Sequence, residues 1–583
     1  MRIMTKGGQQ MLKLIRKLNY WAVLGAVIFM IIQVIGDLYL PTLTADIIDN
    51  GVATGNVEYI ISVGVKMLGF SFLSILAAIA NVYFAAQQSQ QLGKKLRSEI
   101  YRKVTYFSND EIDKLGTSSL LTRTTNDVEQ IQLVTMMMLR MMIMSPIMLI
   151  GAGILAYNRE PKLAEIFIYV IPALAVFIGI IMYFAVPYFK SLQKKTDRLN
   201  LVFREGLTGI RVIRAFNRND SETKRFDEAN KDYADTSIKA QTIMSFMLPI
   251  MTLIISATNI SIIWFGGQYI SVGGMEVGNL VTFMTYAMQI LMSVMMLAMV
   301  FVFIPRGQVS AARINEVLAM ETIIKDPENP LKIQKENVGS LSFENVSYRY
   351  SGAEKLALEG IDFEGKKGEV IAIIGGTGSG KSTIANLITR FYDIESGSIN
   401  INGVDIREMK QTDLRSFTGY APQKALLFTG TIRENLKYGK PTATDEEIWH
   451  ALKIAQADDF VSALPKGLDA VVEQGGGNFS GGQKQRLNIA RALVTKADIL
   501  IFDDSFSALD FKTDVALRKA LIPETRNSVV VIIAQRISSV IEADTIIVLE
   551  AGKMVGKGTH KELKHTNETY QEIMRSQMKE EEM

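Results

Sequence analysis

The chain has 583 residues, too many for one hydrophobic core, so its length predicts at least two domains. Its net charge of +3 is too small to indicate nucleic-acid binding, and no basic patch laced with aromatic residues adds to it. With no cysteine, it can form no disulfide and has no thiol chemistry. Hydrophobic residues make up 48% of the chain and are concentrated in its first half, which indicates a membrane region.

Six apolar runs in the first half are long enough to cross a bilayer as helices, for which about 20 residues are needed. An even number of spans puts both ends of this region on the same side of the membrane. The predicted spans are Leu18–Ala45, Met67–Gln87, Ile131–Tyr157, Ile166–Phe189, Ile243–Phe265 and Val277–Ile304.

The distribution of lysine and arginine predicts the orientation of these spans. The connections 88–130 and 187–241 are long and basic, whereas the turns 50–57 and 266–274 carry no lysine or arginine. We therefore expect the long connections, both termini and the second half of the chain to be cytoplasmic, in a plasma-membrane protein. Each long connection is polar and favours helix, so we expect two antiparallel helices that continue the spans by roughly 30 to 40 Å. The segment MLKLIRKLNYW, with no cleavage site after it, predicts an interfacial helix ahead of the first span.

From Leu341 onward, the sequence has the short strands and charged helices of a soluble α/β domain. A polar stretch with two prolines, METIIKDPENPLKIQKENVGS, precedes it and predicts a hinge or spacer. The expected domains are a membrane domain at 1–320, a linker at 321–340 and a nucleotide-binding domain at 341–583.

A phosphate-binding loop is predicted at GGTGSGKST, between an apolar strand and a helix, as that motif requires. Its glycines let backbone N–H groups close on phosphates, and the helix N-terminus adds its dipole. Lys381 is predicted to reach the outer phosphates, with Ser382 and Asp503 on magnesium. The predicted ATP-binding residues of the loop are Gly375, Thr377, Gly378, Ser379, Gly380, Lys381, Ser382 and Thr383.

Further motifs resemble those of ATP-binding cassette (ABC) exporters, and the resemblance covers nearly the whole chain. NFSGGQKQRLNIARAL is similar to the family's signature, which implies that Ser480, Gly481, Gly482 and Gln483 bind the ATP of an opposing domain. FSNDEIDKLGTSSLLTRTTND and GLTGIRVIRAFNRN resemble the two intracellular loops with their short coupling helices. The resemblance implies six membrane helices with cytoplasmic extensions, followed by an α/β P-loop domain of the ABC type. It also implies ATP and Mg²⁺ as cofactors.

Four single residues take roles only through this resemblance. Tyr350 in VSYRY matches the aromatic that stacks on adenine, and Gln423 in YAPQ matches the glutamine that senses magnesium and the membrane domain. Glu473 lies where exporters have a coupling glutamate, and Asp510 ends the SALD loop that signals across the dimer.

Two residues depart from the family pattern at the catalytic centre. Asp504 stands where the family has the glutamate that activates water, and Gln535 stands where it has a histidine on the γ-phosphate. This pattern is similar to the degenerate-site subunit of bacterial heterodimeric multidrug exporters, which implies a homologous partner that supplies the competent site. The alternatives are a homodimeric lipid or peptide exporter in which Asp504 hydrolyses ATP, and an ATP-gated channel or regulatory subunit.

Polar side chains inside the predicted spans are candidates for a substrate cavity, because such residues usually face a cavity or each other. They are Asp37, Arg140, Asn259 and Gln289. Asp37 and Arg140 could instead form a structural pair or lie near an interface. The 29 methionines, clustered in VTMMMLRMMIM and LMSVMMLAM, would suit an adaptable surface for amphiphilic or drug-like substrates, although most of them are expected to face lipid or other helices.

Overall fold

The computed structural model describes residues 2–331 and 339–577, with the backbone alone for residues 2–7, 301 and 302. Contacts divide the chain into two units. The first unit comprises Met1–Thr105 and Thr117–Met320, and the second comprises Tyr106–Gly116 and Glu321–Met583. Residues 332–338 of the predicted linker lie outside the described residues.

The first unit is helical, and six of its segments are long and apolar enough to cross a membrane, which confirms the six predicted spans. Its first helix covers the first five residues of the predicted interfacial segment, Met11–Ile15. The first span ends in a π-helical turn at Ile47–Val52, and the third span runs through two more, at Arg123–Asp127 and Met138–Met142. The α-helices of this unit are α1 Arg2–Ile15, α2 Tyr20–Asp46, α3 Val57–Thr105, α5 Thr117–Thr122, α6 Val128–Met137, α7 Ile143–Arg159, α8 Pro161–Thr208, α9 Ile210–Ala215, α10 Asn219–Ser245, α11 Met247–Ser271 and α12 Val277–Ala319.

Several helices are much longer than the apolar runs inside them. The run Met67–Gln87 is the middle of α3, whose 49 residues end only at Thr105. The polar stretch after it continues the helix because it lacks proline and is rich in Gln, Lys, Arg and Glu, which favour helix. Likewise α8 extends past its membrane run. It pairs with the polar helix α10, which precedes the run of α11, with Lys195 Nζ 2.5 Å from Asp232 Oδ1 and Arg225 Nη2 2.6 Å from Glu205 Oε2.

Helices α2 and α12 are joined by side chains that bond to backbone carbonyls around Pro41. Proline has no N–H, so the carbonyl of Asp37, four residues earlier, loses its helical partner. Gln289 Nε2 donates to that carbonyl at 3.2 Å. Beside it, Tyr286 Oη donates to the Leu38 carbonyl at 3.0 Å, and Thr282 Oγ1 donates to the Pro41 carbonyl at 2.7 Å. Gln289 therefore replaces the bond that Pro41 removes.

We expect Gln289→Leu to destabilise the protein by about 1 kcal/mol, because it leaves the Asp37 carbonyl without a donor in an apolar setting. In a Pro41→Ala background, the restored N–H can satisfy that carbonyl, and the penalty of Gln289→Leu should shrink. The coupling is measured from the free energies of unfolding of the wild type, the two single variants and the double variant, each unfolded with denaturant in micelles. Equal penalties in the two backgrounds would contradict the account.

The second unit is an α/β domain built on a ten-stranded sheet with the strand order β5-β4-β1-β2-β12-β11-β3-β10-β9-β6, and a separate pair β7-β8. The helix α4, Asn109–Leu115, also belongs to this unit. The strands are β1 Ser340–Tyr348, β2 Leu358–Lys366, β3 Val370–Gly375, β4 Ser396–Ile401, β5 Val404–Asp405, β6 Thr418–Ala421, β7 Gly430–Thr431, β8 Val471–Val472, β9 Ile499–Asp503, β10 Val529–Ile533, β11 Thr545–Glu550 and β12 Lys553–Gly558. The remaining helices are α13 Lys381–Ile388, α14 Gln411–Ser416, α15 Ile432–Lys437, α16 Asp445–Ile454, α17 Asp458–Ser462, α18 Gly481–Val494, α19 Phe511–Glu524, α20 His560–Thr566 and α21 Glu568–Gln577.

The central strands β11, β3, β10, β9 and β6 are parallel and buried on both faces. Their side chains alternate between two hydrophobic clusters: Val529 and Val531 pack in one cluster, and Val530 and Ile532 pack in the other. Such strands read as continuous apolar runs. In open parallel sheets, ligands bind beyond the carboxyl ends of the strands, which here is the edge that carries the predicted motifs.

Candidate nucleotide site

The predicted catalytic and binding residues meet because their strands are neighbours. Loop 375–380 follows β3, Gln535 follows β10, Asp503 ends β9 and Gln423 follows β6. The register aligns Ile533 with both Ile373 and Asp503, so these segments leave the sheet at the same height. Segments far apart in sequence thereby form one site at the carboxyl edge.

The loop from Gly375 to Gly380 has the features of a phosphate cradle. Gly378 and Gly380 have φ angles of 81° and 99°, which favour glycine. A Cβ at Gly375 would collide with the Leu549 carbonyl, whereas at Gly376 it would meet nothing within 4 Å. The Ser379 hydroxyl is buried and has no hydrogen-bond partner among the described residues. A tight turn with an open inner side and an unsatisfied hydroxyl fits a phosphate group.

Lysine, serine and aspartate lie together behind this loop. Lys381 Nζ donates to the carbonyls of Gly375 and Gly376 at 2.8 and 2.7 Å, and burial lowers its pKa. Ser382 Oγ donates to Asp503 Oδ1 at 3.0 Å. Asp503 is 4% exposed, and burial raises the pKa of its carboxyl despite hydrogen bonds from Ser382 and Tyr420. Ser382 and Asp503 would hold Mg²⁺, which neutralises phosphate charge when it is bound. Thr377, on the same loop, is exposed.

Asp504 is held by two amides and by an unusual backbone conformation. Its φ angle is +47°, a left-handed value that Asp adopts more readily than most residues. Gln423 Nε2 and Gln535 Nε2 both donate to Asp504 Oδ2, at 3.1 and 3.2 Å. The backbone is fixed by a bond from Asp504 N to the Ile533 carbonyl at 2.8 Å and one from Ser507 Oγ to the Asp504 carbonyl at 2.8 Å. The structure thus brings together Asp504 and Gln535, the two residues that depart from the family pattern, with Gln423. The two amides meet at one carboxylate oxygen of Asp504.

Two side chains of α18 hold the backbone of the Gln423 loop. Gln485 Nε2 donates to the Gln423 carbonyl at 2.6 Å, and Asn488 Nδ2 donates to the Pro422 carbonyl at 3.2 Å. Sequence reasoning missed both residues, as well as Tyr420. Their positions inside the motifs NFSGGQKQRLN and YAPQ are the only signal that the sequence offered for them.

The signature segment forms the capped start of α18. Ser480 is its N-cap, with Gln483 N donating to Ser480 Oγ at 3.3 Å and Ser480 N donating to Gln483 Oε1 at 2.9 Å. Gly481 and Gly482 open the helix, and a Cβ at Gly481 would meet nothing within 4 Å. The Gln483 side chain thus serves the cap. The open N-terminus with its free N–H groups suits an anion.

The predicted coupling residues lie on the surface, and one of them has a defined local role. Asp510 caps α19 through Thr513 N at 3.0 Å and Thr513 Oγ1 at 2.7 Å, and these bonds lower the pKa of Asp510. Glu473 is exposed and precedes a short 3-10 turn.

Tyr350 belongs to a cluster of three tyrosines. Its ring meets those of Tyr348 and Tyr392 edge-on at 5.0 and 5.4 Å, and its hydroxyl lies 3.0 Å from Thr383 Oγ1 on the phosphate-loop helix. Tyr392 Oη donates to Asp113 Oδ2 of α4 at 3.0 Å. The predicted adenine-stacking side chain therefore lies next to the phosphate loop.

The four cavity candidates of the membrane unit are not brought together as one cluster. Asp37 Oδ1 accepts from Ser74 Oγ at 2.5 Å, and Gln289 bonds to the Asp37 backbone. Arg140 is exposed and Asn259 is half-buried. No ion pair joins Asp37 to Arg140 in the described part of the chain, so the structural pair considered for them is absent there.

Comparisons with known proteins agree with this geometry. Residues 23–294 match the model of the ABC transporter transmembrane region, and residues 358–507 match the ABC transporter model. An uncharacterized ABC transporter ATP-binding protein of Mycobacterium tuberculosis is 40% identical over 551 residues, 94% of each chain. A probable multidrug resistance ABC transporter ATP-binding/permease protein of Bacillus subtilis is 32% identical over 87% of each chain.

A solved structure shares the fold over nearly the whole length. It is a bacterial Atm1-family ABC exporter with ATP bound, with a TM-score of 0.80, 26% identity and coverage of 96% of this chain and 98% of that one. The shared fold thus extends over both the membrane region and the ATP-binding domain of this chain. The chain therefore belongs to the ABC transporters and is a half-transporter of the exporter type.

Proposed function

We propose that this chain is one half of a heterodimeric ABC exporter that expels amphiphilic or drug-like compounds from the cytoplasm with ATP and Mg²⁺. In this proposal, its own nucleotide site binds ATP and hydrolyses it slowly, and its signature segment completes the competent site of a homologous partner. The observation that carries the proposal is the carboxylate of Asp504, which accepts amide donors from both Gln423 and Gln535 on the same oxygen.

The length of the Asp504 side chain supports slow hydrolysis at this site. Aspartate is one carbon, about 1.5 Å, shorter than glutamate. A misplacement of about 1 Å can cost on the order of a hundredfold in rate. The backbone bonds of Asp504 to Ile533 and Ser507 oppose a shift of the main chain that would restore the lost reach.

The residue at position 535 supports the same conclusion. The Gln535 amide can donate a hydrogen bond but carries no charge at any pH, unlike a histidine. In the structure, its donor is directed at Asp504 Oδ2, 3.2 Å away. A neutral amide that binds the catalytic carboxylate suits a site that holds a nucleotide better than one that turns it over.

The signature segment supports a partner with a competent site. Ser480, Gly481 and Gly482 form an intact, capped helix start, and in this family that element faces the ATP of the opposing domain. An intact signature next to an impaired catalytic pair is useful when another subunit supplies the glutamate and histidine. Export of a drug-like substrate draws support from the Bacillus subtilis relative, named a probable multidrug resistance transporter.

Transport in inside-out vesicles tests the proposal. The chain is co-expressed with the product of a neighbouring half-transporter gene, and uptake of ethidium is followed by fluorescence after ATP and Mg²⁺ are added. We expect ATP-dependent uptake from the pair and none when the partner's catalytic glutamate is replaced by glutamine. Uptake that survives this replacement would contradict the division of labour. ATP-induced conductance of the pair in a planar bilayer would instead support the channel alternative.

A further inference from the structure

The last described residue of the chain contacts the loop that carries Gln535. Gln577 Nε2 donates to the Gln535 carbonyl at 2.7 Å, and Gln577 Oε1 accepts from the Ile537 N–H at 2.9 Å. One side-chain amide thus binds the backbone on both sides of Arg536. The two partners fix the orientation of the amide, since a carbonyl needs a donor and an N–H needs an acceptor.

Helix α21, which presents Gln577, is firmly held in the domain. Tyr570 and Met574 are 0% and 3% exposed and belong to the hydrophobic cluster that contains Val530 and Ile532 of β10. Tyr570 N donates to Asn567 Oδ1 at 2.8 Å, and the Tyr570 hydroxyl lies 2.8 Å from His560 Nδ1. The helix is therefore a fixed support from which Gln577 reaches the loop.

The loop itself needs such support. Gln535 and Arg536 are exposed and follow the end of β10, before the 3-10 turn Ile537–Ser539 begins. The Gln535 side chain is directed at Asp504, while its own carbonyl is bonded to Gln577. Loss of the Gln577 bonds would free the backbone that aims the Gln535 amide.

We propose that Gln577 is a positioning residue of this nucleotide site, which acts through Gln535 by holding the backbone of residues 535–537. The inference rests on the proposed function and on a place for Gln535 at the γ-phosphate, where the family pattern has the histidine that Gln535 replaces. ATP and ADP differ at this site only in that phosphate. The ratio of the two affinities therefore reports on the groups at the γ-phosphate, Gln535 among them, whereas a general loss of folding lowers both affinities together.

The test uses the full-length chain in detergent, with ATP and ADP titrated against fluorescent trinitrophenyl-ATP in the presence of Mg²⁺. We expect Gln577→Met, similar in length but without hydrogen bonds, to lower the ATP preference over ADP about fivefold, the effect of one neutral hydrogen bond. Gln577→Glu keeps the acceptor for Ile537 but turns the donor into a second acceptor that faces a carbonyl. We therefore expect Gln577→Glu to lower the preference for ATP over ADP at least as much as Gln577→Met does.

Gln571→Met is the matched control. Gln571 lies on the same helix, and its Nε2 donates to the Lys564 carbonyl at 3.0 Å, away from the loop. We expect it to leave the ATP:ADP ratio unchanged. If Gln571→Met lowers the ratio as much as Gln577→Met does, the effect belongs to the helix and the proposal for Gln577 is overturned.

Combination with Gln535→Ala separates this inference from the proposed function. If Gln577 acts through Gln535, Gln577→Met has no further effect on the ratio once Gln535 is alanine. Additive effects would overturn the positioning role. If Gln535→Ala alone leaves the ratio unchanged, the γ-phosphate role of Gln535 fails. If Gln535→Ala lowers it and Gln577→Met does not, only the role of Gln577 fails.

Discussion

The double change Asp504→Glu with Gln535→His is expected to raise ATP hydrolysis at this chain's own site about a hundredfold, the loss ascribed to the misplaced carboxylate. The increase is best seen in a complex whose partner carries glutamine in place of its catalytic glutamate, because the competent site is then silent. Steady-state release of phosphate in the presence of Mg²⁺ measures it.

The backbone at Asp504 limits this gain only slightly. Its φ angle of +47° suits aspartate, and a glutamate in the left-handed region costs about 1 kcal/mol or a little more. A hundredfold gain in rate corresponds to about 2.7 kcal/mol, which exceeds that strain. Asp504→Ala with Gln535→His serves as the control, since it restores the histidine without a carboxylate. If the variant with Asp504→Glu and Gln535→His hydrolyses ATP no faster than this control, the explanation from carboxylate reach is contradicted.

The second large effect is expected from the signature segment. Gly481→Asp places a carboxylate at the start of α18, where the proposal puts the partner's ATP, and it should lower the ATPase of the complex by a hundredfold or more through charge repulsion. The fold should tolerate the change, because a Cβ at Gly481 meets nothing within 4 Å. Phosphate release by the purified complex measures it.

Lys381→Ala is the counterpart of that change at the other site. It removes the cation of this chain's own phosphate loop, so it should chiefly weaken ATP binding there and leave most of the turnover of the complex. If Lys381→Ala abolishes turnover while Gly481→Asp spares it, the two sites have been assigned the wrong way round.

The fold and the nucleotide motifs were predictable because their signals are local. Apolar runs predict the spans, and GGTGSGKST between an apolar strand and a helix predicts the phosphate loop. The extension of α3 beyond Gln87 to Thr105 agrees with the prediction that the polar, helix-favouring connection continues the span. Hydropathy predicts the membrane-spanning part of such a helix, and helix propensity predicts its continuation outside the membrane.

The contacts that tune the site were not predictable, because they join residues distant in sequence. Gln577 and Gln535 are 42 positions apart, and the pairing depends on where α21 docks. Gln289 meets the carbonyl of Asp37 across 252 positions, at a bond that Pro41 leaves open. The sequence predicted an intramembrane role for Asp37 and Gln289, but whether they meet each other or a substrate depends on the packing of α2 against α12.

In the proposed function, this chain holds ATP at a slow site and depends on a partner for turnover. The most direct test is the Mg²⁺-dependent ATPase of the chain purified alone, compared with the chain co-purified with a neighbouring half-transporter. The account predicts activity in the pair and almost none in the chain alone. Brisk hydrolysis by the chain alone would contradict it, because Asp504 would then be a working catalyst and the homodimer the functional form.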